Sequence, residues 1–410
     1  MTLTREFEID SCDDVELAIK RRSKLKFKVT FDDELEQKAI VVLVPGCGDD
    51  NNSSYQQNLA EFTSKFGVIV LQVRYFGIRN RTHLGGTLFA DEIDKFILKK
   101  MAEAIGLDLN FQNDYVFRII NEKIENLKKL GKLPNDYKMS LSLTIAQPDN
   151  EYQNFGVMSA IDVINALIFT RHNLTKILAG GGGLKNLPCI LIGSSHGGYI
   201  AYMCAKIAPW LIDAVIENSS YTKTNLLYSG FGKQIDFTKY YSFKSDDELI
   251  PNLEILISDI TLWSLDEKSP YFFSKARECI RDIDNLDHLK IQKKFNKTKF
   301  ISYHSTKDNI APFESKAILY QKLNFLGFKN KLNVISHQSQ VDGKFIKNLE
   351  HGMGMSLKIL LQKELVSLLE YFSKNSINNS RKKEVVYPSN ESFYKFKETK
   401  NGLEFEVINS

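Results

Sequence analysis

The stretch Gly193-Ser194-Ser195-His196-Gly197-Gly198 decides the predicted fold of this chain. It follows an apolar run that ends at Ile192 and precedes a helix-like segment over 199–208. A G-x-S-x-G pattern between a buried strand and a helix predicts a sharp turn that exposes its serine at the top of a sheet. The glycines two positions either side remove side chains that would collide in such a strained backbone. The stretch therefore predicts Ser195 as a nucleophile.

Buried strands are predicted on both sides of this turn. The strand that carries the turn is the apolar run 187–192, and similar runs occur at 39–44, 68–73, 213–217, 300–303 and 332–335. An alternating segment from Leu25 to Phe31 predicts a half-exposed strand near a sheet edge. Apolar residues at helical spacing, as in 157–168 and 357–369, separate the strands. This order predicts an α/β fold with a mostly parallel sheet, helices on both faces, and ligands bound beyond the carboxyl ends of the strands.

Two long stretches interrupt this alternation, and we expect both to cover the active site as lids. The first, at about 80–150, contains amphipathic helix candidates at 90–105 and 115–130. The second, at about 222–297, begins with aromatic residues that either pack the core of the insertion or stack on a sugar. These aromatic residues are Tyr228, Phe231, Phe237, Tyr240, Tyr241 and Phe243.

The predicted main domain therefore spans 1–375, and 376–410 form a C-terminal appendage. This appendage is predicted to be a hairpin that turns at Asn401-Gly402. A run of four glycines, Gly180 to Gly183, predicts a loose turn before the strand that carries Ser195. Because the chain is otherwise rich in lysine, asparagine and isoleucine, we also hypothesise that this run marks a homopolymeric tract that switches the gene on and off.

Composition narrows the function classes. Of the 410 residues, 43% are hydrophobic and 25% charged, and the net charge is +4. These values are typical of a soluble globular protein, and the charge is too small to indicate a nucleic-acid partner. We find no secretory signal core and no run of membrane-spanning length, and we therefore expect a cytoplasmic protein. No phosphate-binding loop, dinucleotide fingerprint or zinc spacing occurs, so no cofactor or metal is predicted. The oligomeric state is left open.

The five cysteines do not predict a disulfide framework, because their number is odd and no C-x-x-C pair occurs. Cys189 and Cys204 lie in apolar runs and are predicted core residues. Cys47 lies in a glycine loop, where we interpret it as a small tolerated side chain.

A serine nucleophile needs an acid and a base, and the expected chain order is serine, acid, histidine. The acid candidate is Asp308, in a tight loop where a predicted strand ends. The alternative role for Asp308 is an Asx turn or helix cap. The neighbouring His304 still belongs to the strand and is predicted to be structural.

The base candidate is His351, in Leu349-Glu350-His351-Gly352-Met353-Gly354. The glycine beside it lets the backbone pass close to the serine, and the helix that follows fixes the loop. His337 is the alternative, because it follows the last predicted strand directly. The remaining histidines, at 83, 172 and 288, have no partner motif and are predicted to be surface or packing residues.

The oxyanion donors are predicted to be backbone N–H groups. His196, which follows the nucleophile directly, would give its backbone N–H, and the helix that follows directs further free N–H groups to the same place. Gly46 or Cys47, in Pro45-Gly46-Cys47-Gly48, would supply the second donor from the loop after the strand at 39–44. The alternative is an ordinary glycine turn.

These motifs and their order resemble the α/β-hydrolase superfamily, and in particular its prolyl-oligopeptidase and dienelactone-hydrolase branches. The resemblance covers roughly 36–80, 151–221 and 298–373, and it implies an eight-stranded sheet. As a whole, the chain also resembles an uncharacterised hydrolase-like family of flagellated epsilon-proteobacteria that is often encoded near flagellin-glycosylation genes. That second resemblance rests on the Asn348 to Gly354 segment and the glycine run.

The resemblance implies acyl transfer through an acyl-enzyme. Ser195 would attack an ester while His351 takes its proton, Asp308 orients the imidazole, and water releases the acyl group. The expected function is a serine esterase or deacylase that acts on a small-molecule acyl ester or on an acylated sugar of surface glycans or flagellin. The alternatives are an acyltransferase with the same triad, a peptidase, and a catalytically silent motility or glycan accessory protein.

Overall fold

The computed structural model describes residues 1–49, 51–109, 115–178, 186–224, 244–245, 250–295, 298–375 and 382–409. The glycine run at 180–183 and the aromatic residues predicted over 228–243 lie outside the described residues. Contacts divide the chain into two compact units. The first unit contains 1–78, 154–224 and 273–410, and the second contains 79–153 and 225–272.

The strands, numbered along the chain, are β1 (Thr2–Ile9), β2 (Leu25–Asp32), β3 (Ile40–Val44), β4 (Ile69–Arg74), β5 (Thr87–Phe89), β6 (Met139–Ala146), β7 (Cys189–Ser194), β8 (Ala214–Asn218), β9 (Lys244–Ser245), β10 (Leu253–Asp259), β11 (Lys299–Ser305), β12 (Asn330–Ile335), β13 (Glu384–Ser389), β14 (Ser392–Thr399) and β15 (Gly402–Asn409).

The α-helices are α1 (Ser54–Ser64), α2 (Glu92–Ala104), α3 (Val116–Lys129), α4 (Val157–His172), α5 (Leu174–Ile177), α6 (His196–Ile207), α7 (Lys275–Arg281), α8 (Leu286–Lys293), α9 (Phe313–Phe325), α10 (Leu357–Leu360) and α11 (Val366–Lys374). A π-helical turn, Leu361–Leu365, joins α10 to α11. Within the described ranges, each helix is too short or too polar to cross a bilayer.

The main sheet of the first unit has the strand order β1-β2-β4-β3-β7-β8-β11-β12. The six strands from β4 to β12 are parallel, and β1 and β2 add antiparallel pairs at one edge. Every residue of β3 and β8 is buried, which explains why β3 and the first three residues of β8 are apolar. The last two residues of β8, Glu217 and Asn218, are buried polar groups. The predicted mostly parallel, eight-stranded sheet is confirmed. The edge strand β1 was not predicted. Its few apolar residues are separated by charged and polar ones, and none of its residues is fully buried.

Helices cover both faces of this sheet, as predicted. On one face, α4 and α6 contact each other, and on the other, α1 contacts α10. The core beneath α1 and α10 unites side chains from strands and helices, among them Leu43, Leu59, Ile192 and Leu361. The loops after β3, β7, β8 and β11 therefore share the carboxyl edge of a sheet whose core holds them in place.

The second unit has its own sheet, in the order β5-β6-β10-β9. Its central pair, β6 and β10, is parallel and joins the two stretches of chain that sequence analysis treats as separate insertions. The bounds of α2 and α3 agree closely with those of the two predicted helices. Leu98, Ile120 and Ile124 of these helices share a core with strand residues such as Leu141. The lid function of these insertions stays a prediction.

The structure differs from the predicted second insertion at its end. The predicted insertion extends to about 297, but residues from Phe273 onward, with α7 and α8, belong to the first unit. The difference arises because Leu286 to Lys293 form a helix whose buried His288 and Leu289 pack within that unit.

The C-terminal strands β13, β14 and β15 form an antiparallel sheet within the first unit. Strands β14 and β15 pair across a turn that ends at Gly402. Several polar contacts hold this sheet to the rest of the first unit. Among them, Tyr387 donates a hydrogen bond to the carbonyl of Lys206 (2.6 Å), and Trp210 donates one to Glu398 (2.7 Å). His288 contacts the carbonyl of Pro388 (2.6 Å).

Candidate active site

Ser195 lies between β7 and α6 in a strained backbone conformation, with φ 52° and ψ −121°. Its N–H donates to the carbonyl of Asn218 at the end of β8 (2.9 Å). The glycines on either side are required by close packing. A Cβ on Gly193 would lie 2.4 Å from the carbonyl carbon of Gly197, and one on Gly197 would lie 2.2 Å from the carbonyl oxygen of Val44. The motif therefore encodes a turn pressed against the end of β3.

His351 connects Ser195 to Asp308. Its Nε2 atom lies 2.7 Å from Ser195 Oγ, and its Nδ1 atom lies 2.9 Å from each carboxylate oxygen of Asp308. These three residues, predicted separately, are therefore brought together at the carboxyl edge of the sheet.

Asp308 is held in place by its own loop. Its Oδ1 atom accepts hydrogen bonds from the N–H groups of Ile310 (3.0 Å) and Ala311 (2.8 Å). The alternative role considered for Asp308, a turn cap, thus coexists with its contact to His351. Burial alone would raise the pKa of Asp308, but the hydrogen bond from His351 and that from Ala311 outweigh it and leave the pKa below its ordinary value.

The ionised carboxylate defines the tautomer of His351. A carboxylate without a proton can only accept hydrogen bonds, so Nδ1 of His351 must donate to Asp308. In a neutral imidazole, Nε2 is then the acceptor for the hydroxyl proton of Ser195. This is the arrangement that a general base needs.

His304 supports the acid loop, in agreement with its predicted structural role. Its ring is fully buried, and Nε2 contacts the carbonyl of Ala311 (2.7 Å) while lying 3.8 Å from Asp308 Oδ2. Burial and the nearby Lys316 lower the pKa of His304. The ring therefore stays neutral at neutral pH.

The loop that carries His351 is held by residues at the end of β8 that sequence analysis did not single out. The N–H of Gly352 donates to Ser219 Oγ (2.9 Å), and the amide of Asn218 donates to the carbonyl of Gly352 (2.9 Å). Ser219 itself has a positive φ of 55°. Since the carbonyl of Asn218 also accepts the hydrogen bond from the N–H of Ser195, one short segment supports both Ser195 and the loop of His351. In the sequence, Asn218 and Ser219 are marked only by their position at the end of a buried strand.

His337, the alternative base, lies elsewhere. It is exposed, and its backbone N–H donates a hydrogen bond to Gln340 Oε1 (3.0 Å) in a short turn at Gln338–Gln340. The residues between it and His351 form a loop excursion, as expected from the sequence. The structure thus places His351, rather than His337, next to Ser195.

The predicted oxyanion residues surround the same serine. His196 is the first residue of α6, and the first N–H groups of a helix have no partner within it. Its ring contacts the hydroxyl of Tyr221, and burial lowers its pKa to about 4. The ring of His196 is therefore neutral at neutral pH. The loop with Gly46 and Cys47 passes close to the turn, because a Cβ on Gly46 would lie 3.1 Å from the carbonyl oxygen of Ser194.

A cavity of about 300 Å³ opens beside Ser195 and His351. Gly46 and Cys47 line it too. Its remaining lining combines apolar side chains with a few polar ones: Leu43, Leu59, Ile192, Leu357 and Leu361, and Asp49, Tyr55 and Gln56. Such a mixture is typical of small-molecule sites. Over the described ranges, His, Cys, Asp and Glu side chains form no group of three or more arranged to hold a metal ion.

The strand order, the strained serine between β7 and α6, and the histidine and acid at the same sheet edge define an α/β-hydrolase fold. More narrowly, this chain belongs to the family described as "Protein of unknown function (DUF2920)", which matches residues 5–407. No curated protein matches the chain.

Several solved structures are similar to this chain. Acylaminoacyl peptidase from Pyrococcus horikoshii is 13% identical with a TM-score of 0.41, over 93% of this chain and 42% of that one. The chain thus spans less than half the length of that peptidase. Esterase Est22 is 8% identical with a TM-score of 0.44, over 91% of this chain and 81% of the esterase. Brefeldin A esterase, a bacterial homologue of human hormone sensitive lipase, is 13% identical with a TM-score of 0.43, over 91% and 76% of the two chains.

Proposed function

We propose that this protein is a serine hydrolase that cleaves carboxylic esters through an acyl-enzyme. The observation that carries the proposal is the continuous hydrogen-bonded chain from Ser195 through His351 to Asp308, with 2.7 Å between Ser195 Oγ and His351 Nε2. A serine hydroxyl becomes a nucleophile when a positioned base takes its proton, and that base needs an orienting acid.

In the proposed reaction, Ser195 Oγ attacks the ester carbonyl while His351 Nε2 takes the hydroxyl proton. The backbone N–H groups of His196 and of Cys47 or Gly46 would stabilise the negative charge on the tetrahedral oxygen. His351 then returns its proton to the leaving alcohol, and the acyl group remains on Ser195. A water molecule, deprotonated by the same nitrogen, releases the acid and restores the serine.

Labelling with a fluorophosphonate probe tests this proposal, because the probe reacts with activated serines. We expect the parent protein to be labelled, Ser195→Ala to be unlabelled, and His351→Ala to lose most of the labelling. His337→Ala is the matched control, since this exposed histidine lies outside the site, and it should be labelled like the parent. A well-folded parent that resists the probe would contradict the proposal and favour a catalytically silent binding protein.

We further propose an acylated sugar, of a surface glycan or of flagellin, as the ester and the cytoplasm as the location. Asp49 and Tyr55 support a sugar, because they place a carboxylate and a phenol in the cavity beside Ser195. The resemblance to proteins encoded near flagellin-glycosylation genes supports the flagellin sugar. Release of acetate from acetylated sugars, measured with and without a sugar acceptor, tests the proposal. Acyl transfer to the acceptor in place of hydrolysis would instead identify an acyltransferase with the same triad.

A further inference from the structure

We infer that the cavity beside Ser195 is an acyl pocket that accepts short acyl groups and excludes long ones. This inference rests on the proposed esterase function and names the substrate class of that site. It follows from which elements form the walls, from the size of the cavity and from the position of its polar groups.

The apolar walls belong to the core of the first unit. Leu43 comes from the end of β3, Leu59 from α1 and Leu361 from the π-helical turn, and all three are buried members of one core cluster. Core side chains pack at the density of organic crystals and do not move aside without opening voids. The far wall of the cavity is therefore fixed in position.

The volume of about 300 Å³ then limits what can bind. This volume lies at the lower end of ligand pockets. An acyl chain of roughly two to six carbons fits this space together with the ester group. A chain of about twelve carbons exceeds this space, so part of it would extend out of the cavity and lose its apolar contacts.

The cavity has a polar side and an apolar side. Asp49 is held by Ser53 Oγ (3.0 Å) and by the amide of Gln56 (2.6 Å), so its carboxylate has a fixed place on the side formed by the loop after β3 and the start of α1. Leu357 and Leu361 come instead from the segment that follows His351. We therefore assign the apolar acyl chain to the leucines and the hydroxylated part of the substrate to the side of Asp49.

The test compares p-nitrophenyl acetate, butanoate, octanoate and dodecanoate by kcat/KM, with fluorophosphonate labelling of the same samples. We expect butanoate to exceed dodecanoate at least tenfold, the scale on which pockets discriminate chain length. Leu357 is half-buried, which leaves room for a larger side chain. Leu357→Trp should lower kcat/KM for butanoate at least tenfold and for acetate less, and Leu357→Ala should shift the preference toward octanoate.

Leu369→Trp is the matched control, because Leu369 is equally half-buried but lies on α11, outside the lining of the cavity. Its chain-length profile should equal that of the parent. If the protein is labelled but hydrolyses dodecanoate as well as butanoate, the pocket inference is overturned while the hydrolase proposal stands. If the parent is neither labelled nor active on any of the four esters, both are overturned.

Discussion

Replacing Ser219 by alanine tests whether the segment after β8 positions the catalytic base. The change keeps the Cβ atom, so the backbone strain at φ 55° is the same in both proteins. It removes the acceptor of the 2.9 Å hydrogen bond from Gly352, the residue next to His351. An unpaired buried donor costs about 1–3 kcal/mol, and we expect ~1–2 kcal/mol because Gly352 is half-buried and water can replace part of the bond.

The larger expected effect is on chemistry. A displacement of about 1 Å in a reacting group can cost roughly 10²-fold in rate, and His351 Nε2 must stay within hydrogen-bond distance of Ser195 Oγ. We therefore expect the rate of fluorophosphonate labelling of Ser219→Ala to fall by about 10–100-fold. Labelling rates and thermal unfolding are measured on the same samples.

Ser389→Ala is the matched control, since its buried hydroxyl donates a 2.5 Å hydrogen bond to the carbonyl of Ala276, between β13 and α7. It should lose comparable stability and keep the parent labelling rate. The contrary result is a labelling rate of Ser219→Ala within twofold of the parent, together with a loss of stability as large as in the control. Ser219 would then be merely structural, and its proposed role in positioning His351 would be refuted.

Three further outcomes are expected. Asp308→Asn should lower the labelling rate by about 10³–10⁴-fold without unfolding the protein, because an amide favours the wrong tautomer of the imidazole; comparable rates in both proteins would remove the acid from the mechanism. Gly197→Ala should abolish soluble expression or lower the melting temperature steeply, since its Cβ would lie 2.2 Å from the carbonyl oxygen of Val44, and a well-folded variant would show that β3 can move away. Burial, aided by Lys206, lowers the pKa of His288 from 6.5 to about 3. The unfolded chain therefore binds a proton below pH 6.5 that the folded chain binds only near pH 3, so stability falls as the pH is lowered through this window. His288→Asn should flatten the decline in melting temperature between pH 7 and 5, and an unchanged slope would contradict this.

The central part of the fold could be predicted because it follows from burial. A parallel strand covered on both faces is mostly apolar, and β3 and the apolar first halves of β7 and β8 are visible as such in the sequence. The strained turn at Ser195 can be recognised in the sequence because Gly193 and Gly197 leave no room for a Cβ atom. The spacing of these glycines around the serine therefore predicts the turn. The proximity of Asp308 and His351 then follows from topology, because both lie in loops at the same edge of the sheet.

Other features left weaker signals. Strand β6 alternates Met139, Leu141, Leu143 and Ile145 with serine and threonine, a period-two pattern that could have been detected between the two helices of the first insertion. Its partner β10 could not have been assigned, because the pairing of distant strands leaves no local pattern. Asn218 and Ser219 likewise act through hydrogen bonds to Gly352, which only the folded chain brings near.

The parallel pairing of β6 with β10 also affects synthesis of the protein. Met139 pairs with Leu253, 114 positions further along the chain. At ~5–20 residues per second, a ribosome needs roughly 6–20 s to deliver the second strand after the first. During that interval β6 has β5 on one side only. Its other edge presents unpaired backbone groups on a strand whose alternate residues are apolar, the kind of edge that recruits other chains. Slow translation or truncation before β10 should therefore increase aggregation of the nascent protein, and a shortened version that retains β6 needs β10 as well.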